Sequence, residues 1–420
     1  MDSIREPSTP YRPRVIDQQL TSLLESVGAV VIEGPRACGK TRTGMQLSNS
    51  MVFFDDPATA TIADIDIQQL INGPAPRLLD EWQLYPQLWN IVRREVDFAQ
   101  GPGRFILTGS AVPDDDIRRH SGAGRFARIR QRTMTWTEKA DLDPKLSLQE
   151  LFDDPTVSVH PAELTLNQVI SLLLQPGFPG LITMPTDGAN ALLDGYIDDV
   201  VEIDVHRLAE IRHEPIVLRT LLSSLARNTA TEVSIATLRK DMGTTLPTPA
   251  PETISHFLGL LERVFVVDKQ PALATALRSK AALRKSAKYH LADPSLGARL
   301  LGADTDRLQR DPETLGFLFE SAVIHDLSVY AQALGGKVSH YRDSNGHEID
   351  AVIDLPNNTW AAIEVKLGGG QITAGNERLQ KAIAQIDRPA PTFAAVITGT
   401  GPTANLGDST VTFPLSALTA

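Results

Sequence analysis

Gly34-Pro35-Arg36-Ala37-Cys38-Gly39-Lys40-Thr41 fits the pattern GxxxxGK[ST]. Residues of these types at this spacing suit one chemistry, the cradling of phosphate groups. Gly34 and Gly39 allow a curl in which successive backbone N–H groups face phosphate oxygens, and a helix starting just after the loop adds partial positive charge. Lys40 is suited to reach the β- and γ-phosphates of a nucleotide, and the Thr41 hydroxyl to ligate Mg²⁺. Arg42 follows in the same turn. Cys38 reads as a loop-filling residue rather than a nucleophile.

A phosphate loop that works with Mg²⁺ needs a second, acidic strand end. Pro76-Arg77-Leu78-Leu79-Asp80-Glu81 supplies an apolar run closing on two carboxylates. Asp80 is placed to act through the metal's coordination shell, and Glu81 to orient or polarise an attacking water. Taken alone, an Asp-Glu pair is more often a solvated loop end. Arg104-Phe105-Ile106-Leu107-Thr108-Gly109-Ser110 is a third strand end, where Thr108 or Ser110 can meet the γ-phosphate or the water. From Ile117 to Arg132 the chain carries six arginines and no acid. The plain reading is a solvated basic face; the sharper one has Arg125 reaching the γ-phosphate of a neighbouring subunit.

The elements that must hold these residues are legible around them. Ala29 to Ile32 is a β-branched run expected to be a buried strand, and Met45 and Leu47 sit on a stretch that can be helical. In this order, GPRACGKT, LLDEWQLYPQLWNIVRREVD, FILTGS and SGAGR resemble a group of bacterial and archaeal AAA-superfamily ATPases. In that group a short ATPase domain precedes a C-terminal domain of unknown function. The resemblance covers nearly the whole chain, including Gly177-Phe178-Pro179-Gly180. It implies ATP binding, with hydrolysis as the expected activity, and no physiological substrate attached. Lys40, Thr41, Asp80 and Glu81 match the nucleotide motifs. Arg125 matches the Gly-Arg position, and a finger working in trans implies a homo-oligomer in the active state.

A second constellation lies near the C-terminus. Asp350 is followed by Glu364-Val365-Lys366, and Glu320 precedes both on an amphipathic stretch from Thr314 to Tyr330. Alternation along a strand puts Glu364 and Lys366 on one face. Asp350 and Glu364, with Glu320 completing the shell, are candidate oxygen ligands for Mg²⁺, and Lys366 a candidate to orient water or stabilise developing charge. The expected strands are Val338–Arg342, Glu348–Leu355, Trp360–Lys366 and a final one at Thr392–Thr398, with a helix at Asn376–Gln385. This α-β-β-β-α-β order resembles the restriction-endonuclease-like core. Equally, such carboxylates serve as structural hydrogen-bond acceptors.

Between the two lies a region expected to be helical at Leu164–Leu174 and Asn190–Leu208, the latter with a wet acidic face at Asp198, Asp199, Glu202 and Asp204. Helices at Val233–Met242 and Glu252–Glu262 and a strand at Val264–Val267 resemble a winged helix. Arg278 to Lys288 adds five positive charges and no acid, so DNA contact stands beside a packing role. The expected organisation is an α/β P-loop domain with a parallel sheet over residues 1–140, a helical connector over 141–228, a winged-helix-like module over 229–300 and the endonuclease-like α/β domain over 301–420. The 420 residues carry 40 basic and 51 acidic side chains, a formal charge of −11, with 42% hydrophobic residues and one cysteine. Such a chain builds full cores and does not coat nucleic acid, though a local basic groove remains compatible with it. It forms no internal disulfide. No apolar run approaches a membrane span, and the expected location is the cytoplasm.

Overall fold

Ala29, Val30, Val31 and Ile32 are all fully buried, and they alternate between two separate cores. Ala29 and Val31 face Leu79, Trp89, Val92 and Leu107. Val30 and Ile32 face Ile16, Leu20, Leu78 and Ile106. A strand apolar on both faces belongs in the middle of a covered parallel sheet, and that is where it lies. The computed structural model describes residues 10–98, 101–110, 124–159, 163–205, 215–243, 249–274 and 286–420.

The chain forms two units. The first comprises α1 (Ile16–Leu24), β1 (Ala29–Glu33), α2 (Lys40–Leu47), β2 (Ser50–Phe53), α3 (Pro57–Asp66), β3 (Arg77–Asp80), α4 (Leu88–Phe98), β4 (Phe105–Gly109) and β5 (Phe126–Arg130). All five strands run parallel in the order β2-β3-β4-β1-β5. The consequence for the site is direct. β4 separates the strand that feeds the phosphate loop from the strand that ends on Asp80, so a side chain at the end of β4 falls between them.

The second unit takes residues 34–38, 110–114 and everything from 132 onward. It holds α5 (Trp136–Lys139), β6 (Leu146–Ser147), α6 (Leu148–Asp153), α7 (Leu166–Leu174), α8 (Thr186–Asp199), α9 (Pro215–Arg227), α10 (Ile235–Met242) and α11 (Pro251–Arg263). Local signals explain the helix starts. Thr135 and Thr165 each accept from the backbone three residues on while Glu138 and Gln168 reach back, two complete capping boxes. α8 runs on into a π-helical turn at Val200–Asp204. Phe178, Leu193, Leu221, Phe257 and Leu261 share one core.

A strand was expected at Val264–Val267, but β7 covers Val267–Gln270 and pairs antiparallel with β8 (Lys288–Leu291). Phe265 has a φ of 59°, and the N–H of Val266 returns to the Leu261 carbonyl. These residues form the exit turn of α11, and their buried side chains are what resembled a strand.

After α12 (Pro294–Leu300) and α13 (Thr305–Arg310) comes the long α14 (Pro312–Ala333), then β9 (Lys337–Arg342), β10 (Glu348–Asp354), β11 (Trp360–Gly368), α15 (Ile372–Ile383) and β12 (Phe393–Thr400). The α-β-β-β-α-β order is therefore present, but Thr392–Thr398 does not mark the final strand. β13 (Ala404–Gly407), β14 (Thr410–Pro414) and β15 (Leu418–Thr419) follow, and the sheet order is β13-β14-β12-β11-β10-β9. β9, β10 and β11 are antiparallel neighbours; β12 joins β11 and β14 in parallel. The stretch expected to be only a connector also contributes here. β6 pairs with β15, and Phe152 of α6 meets Phe393 edge-on at 5.1 Å.

Candidate functional site

In the loop from Gly34 to Thr41, φ is positive at Ala37 (62°) and Gly39 (101°). Glycine tolerates the left-handed region at no steric cost, whereas Ala37 holds it at a cost of about 1–2 kcal/mol. α2 begins at Lys40, which is 5% exposed, and Thr41 and Arg42 complete its first turn. Cys38 is buried, in keeping with a loop-filling role, and its N–H reaches the Pro35 carbonyl at 3.4 Å. Arg36 lies in residues 34–38, which group with the second unit; there its Nη1 pairs with Asp199 Oδ2 at 2.8 Å and with Asp204 Oδ1 at 3.9 Å. The acidic face read as merely wet is thus partly ion-paired.

Asp80 ends β3 with its carboxylate 5% exposed as a residue. The Thr41 hydroxyl donates to Asp80 Oδ1 at 2.9 Å, and the Thr108 hydroxyl donates to the same oxygen. Burial pushes the Asp80 carboxyl above its ordinary value, and the Thr108 and Thr41 hydroxyls pull it back. Thr108 therefore acts on Asp80 from β4, between the two motifs. Glu81 follows in the left-handed region at φ 54°, and its Oε2 accepts from the Gln83 amide. Ser110 sits at the end of β4, half-buried. Two oxygen donors of different type, the Thr41 hydroxyl and the Asp80 carboxylate, already in contact, suit a small hard cation such as Mg²⁺.

Arg125 stands elsewhere. Its carbonyl accepts from Ala29 N–H, which places it at the N-terminal edge of β1 and β5, whereas the loop leaves the C-terminal end of β1. Five strand residues separate these ends, about 16 Å. Its guanidinium pairs with Asp97 at 2.7 Å. It cannot serve the loop of its own chain. Arg118 and Arg119 of the same basic segment lie outside the described residues.

Sequence reading missed the residues behind α2. Tyr11 Oη lies 2.6 Å from Asp17 Oδ1 and 3.0 Å from Thr43 Oγ1, and the Gln131 amide donates to that hydroxyl at 3.1 Å. Partners this far apart in sequence carry no local signal.

In the second unit the structure gathers Glu320, Asp350, Glu364 and Lys366 with two residues that spacing did not select, Lys288 and Glu348. Lys288 closes the basic stretch for which DNA contact is one expectation; it is instead 1% exposed, with Nζ 2.8 Å from Glu320 Oε1, 2.9 Å from Glu348 Oε1 and 3.8 Å from Asp350 Oδ1. The rest of that stretch's charges, Arg278, Lys280, Arg284 and Lys285, lie outside the described residues. Asp350 Oδ2 accepts the Val365 N–H at 2.8 Å, and Lys366 Nζ donates to Glu364 Oε1 at 2.6 Å. Gln270 of β7 ties in from behind, donating to the Asp350 carbonyl at 2.8 Å.

One ammonium shared by three carboxylates has unequal consequences. Burial opposes the charge on Lys288, but Glu320, Asp350 and Glu348 together raise its pKa. Glu320 is pushed up to about 8 by burial and the Asp350 charge, against the pull of Lys288. Glu364 is pushed up to about 7 by burial and Asp350, against Lys366. Asp350 is raised by burial, while at Glu348 burial pushes up and the charge and hydrogen bond of Lys288, with Arg342 and His340, together pull the carboxyl below its ordinary value. Beside the cluster a cavity of about 540 Å³ is lined by Glu320, Lys366, Gly316, Phe317, Gly370 and Gln371.

Residues 26–139 match the AAA domain family. The N-terminal region is thus similar to AAA-type, nucleotide-binding domains. Further along, residues 166–307 match a domain of unknown function (DUF8612) and residues 315–418 a second one (DUF4143). The uncharacterized proteins Rv2008c of Mycobacterium tuberculosis and Mb2031c of Mycobacterium bovis are each 26% identical to the chain over 361 residues, covering 83% of it and 72% of their own length. Among solved structures, the Walker-type ATPase PABY2304 of Pyrococcus abyssi has 12% identity and a TM-score of 0.40, covering 68% of this chain and 94% of its own. The Aeropyrum pernix ORC1 protein in complex with DNA has 11% identity and a TM-score of 0.23, covering 74% and 95%. No helix among the described residues is long and apolar enough to cross a membrane.

Proposed function

We propose that the AAA domain binds ATP with Mg²⁺ and hydrolyses it, and that the nucleotide state controls what the second unit binds. The observation that carries hydrolysis is the convergence of the Thr41 and Thr108 hydroxyls on Asp80 Oδ1, with Glu81 one residue further along. In this reading Thr41 and Asp80 hold Mg²⁺, Lys40 and the backbone of residues 34–41 hold the phosphates, and Arg42 and Ser110 border them. The metal neutralises charge on the phosphate oxygens when bound. Thr108 keeps the Asp80 carboxylate aimed. Glu81 orients the attacking water and takes its proton, for which it must leave Gln83. Arg125 acts only on a neighbouring subunit, which makes the active form at least a dimer.

Control of the second unit is supported by the place of Arg36. It belongs to the phosphate loop in sequence and pairs with Asp199 and Asp204 within the second unit. Residues 235–270 keep the helix, helix, strand order of a winged helix and the C-terminal elements keep the endonuclease-like order, so DNA and a protein are the two partner classes to test. For cleavage at Asp350, Glu364 and Lys366 the fit to Mg²⁺ is poor, because lysines already engage the carboxylates, and we propose no cleavage step.

The test is Mg²⁺-dependent ATP hydrolysis with and without DNA, on wild type, Lys40→Ala and Glu81→Gln. Loss of ATP binding in Lys40→Ala, and binding without turnover in Glu81→Gln, are the expected results. Full hydrolysis by both variants overturns the assignment. Stimulation by DNA names nucleic acid as the partner; indifference to DNA points to a protein.

A further inference from the structure

The restriction-endonuclease-like order implies a divalent cation at the carboxylates of the C-terminal sheet, and the side chains around them speak against it. Glu320 comes from α14, Glu348 and Asp350 from β10, and all three turn toward one point. That point holds the ammonium of Lys288, the first residue of β8 and 1% exposed. Three oxygens from three side chains, at 2.8, 2.9 and 3.8 Å from Nζ, resemble the surroundings of an ion more than those of a surface lysine. Two further acceptors are engaged by groups of the protein itself. Asp350 Oδ2 takes the Val365 N–H, and Glu364 Oε1 takes Lys366. Among the described residues, no group of three or more His, Cys, Asp or Glu side chains is disposed to hold a metal ion.

We propose that Lys288 is the resident cation of this cluster: its ammonium stands where a divalent ion would bind between Glu320, Glu348 and Asp350, and it keeps such an ion out. The physical basis is that like charges gathered in a buried place demand a positive partner, and a tethered ammonium meets that demand without the cost of recruiting an ion from water. A lysine is the right donor for the task. Its one compact charge reaches all three carboxylates, Glu320 and Glu348 within hydrogen-bond distance and Asp350 as an ion pair at 3.8 Å, whereas the planar fork of arginine matches two oxygens of a single carboxylate. Lys288 also joins the β7–β8 pair to the C-terminal sheet, a link that Gln270 repeats through the Asp350 carbonyl.

This inference does not rest on the ATPase reading, and its test is run without nucleotide. Mn²⁺ bound to the full chain is counted from the loss of the free-ion paramagnetic resonance signal. Four proteins are compared, all carrying Lys40→Ala so that the phosphate loop behaves alike in each. They are the otherwise wild-type chain, Asp350→Asn, Lys288→Ala, and Lys288→Ala with Asp350→Asn. The chain with Lys288 in place should bind the same number of ions with or without Asp350→Asn. Lys288→Ala should bind one more, and adding Asp350→Asn should remove it. A Mn²⁺ ion that binds beside an intact Lys288 and disappears with Asp350→Asn overturns the proposal. So does a folded Lys288→Ala chain that gains no ion. If Lys288→Ala fails to fold, the first pair of proteins still decides the matter, and Lys288→Met, which keeps the apolar stem, replaces it in the second pair.

Discussion

The phosphate-loop site and the C-terminal cluster are built from the same kinds of residue, yet they treat their carboxylates in opposite ways. At Asp80 the partners are two neutral hydroxyls, which aim the carboxylate and leave its charge to be used. At Glu320, Glu348, Asp350 and Glu364 the partners are two lysines and a backbone N–H. A site proposed to receive Mg²⁺ and one that must hold itself together therefore differ less in which acids are present than in what already satisfies them.

The largest effect should come at the first site. Glu81→Gln should lower ATP turnover by about 10²–10⁴-fold with nucleotide binding retained, the range expected for loss of a positioned base; single-turnover kinetics would read it. Equal loss of binding would move Glu81 from turnover to nucleotide contact and blur the contrast. At the second site, Lys288→Ala should destabilise the C-terminal core by about 3–5 kcal/mol, because removing one partner leaves buried charges uncompensated. Denaturant unfolding followed through Trp360 in that core would measure it. Asp80→Asn should sharpen the comparison from the other side. The amide keeps an oxygen to accept from Thr41 and Thr108, so melting of the AAA domain should move by no more than a few degrees, about 1 kcal/mol, while Mg²⁺-dependent turnover is lost.

A pH series gives the smallest and most diagnostic effect. Glu320 and Glu364 titrate near 8 and 7 in the folded chain, above their ordinary values. The folded state therefore holds more protons than the unfolded one between roughly pH 4.5 and 8. The stabilisation that this provides is complete below that window and falls as pH rises through it. The denaturation midpoint of the C-terminal core should drop between pH 5.5 and 8, and Glu320→Gln should flatten the slope. A midpoint that rises with pH would contradict the picture of crowded, under-compensated acids.

The two sites also differ in how readily the sequence discloses them. Gly34 to Thr41 is contiguous and its chemistry dictates its spacing, so the loop, the strand before it and the helix after it could all be read. Asp80-Glu81 was readable because an apolar run ends on it. Thr108 could be named only as a residue near phosphate, since nothing local says that β4 inserts between β1 and β3 and brings it to Asp80. The C-terminal strands were legible from alternation, but the end of the sheet was not. Short β13 is only four residues of a hairpin with β14, and β15 gains its pairing from distant β6 rather than from pattern. Lys288 shows the limit most clearly. In sequence it closes a run of basic residues that looks solvated, and only the tertiary fold supplies the acids that turn it inward. Glu348 was passed over for the complementary reason, standing outside the Asp350, Glu364, Lys366 spacing.

The pairing of β6 with β15 sets a timetable for synthesis. Leu148, Leu151 and Phe152, all buried in the finished fold, leave the ribosome long before Phe393 and Leu418, which help to cover them. At translation rates of roughly 5–20 residues per second, the strip waits about 15–55 s for its cover. During that interval it is an exposed apolar surface on a chain that already carries a complete AAA sheet. The nascent chain thus has a defined interval, opening near residue 150 and closing when β15 arrives, in which this strip lacks the cover it has in the finished fold.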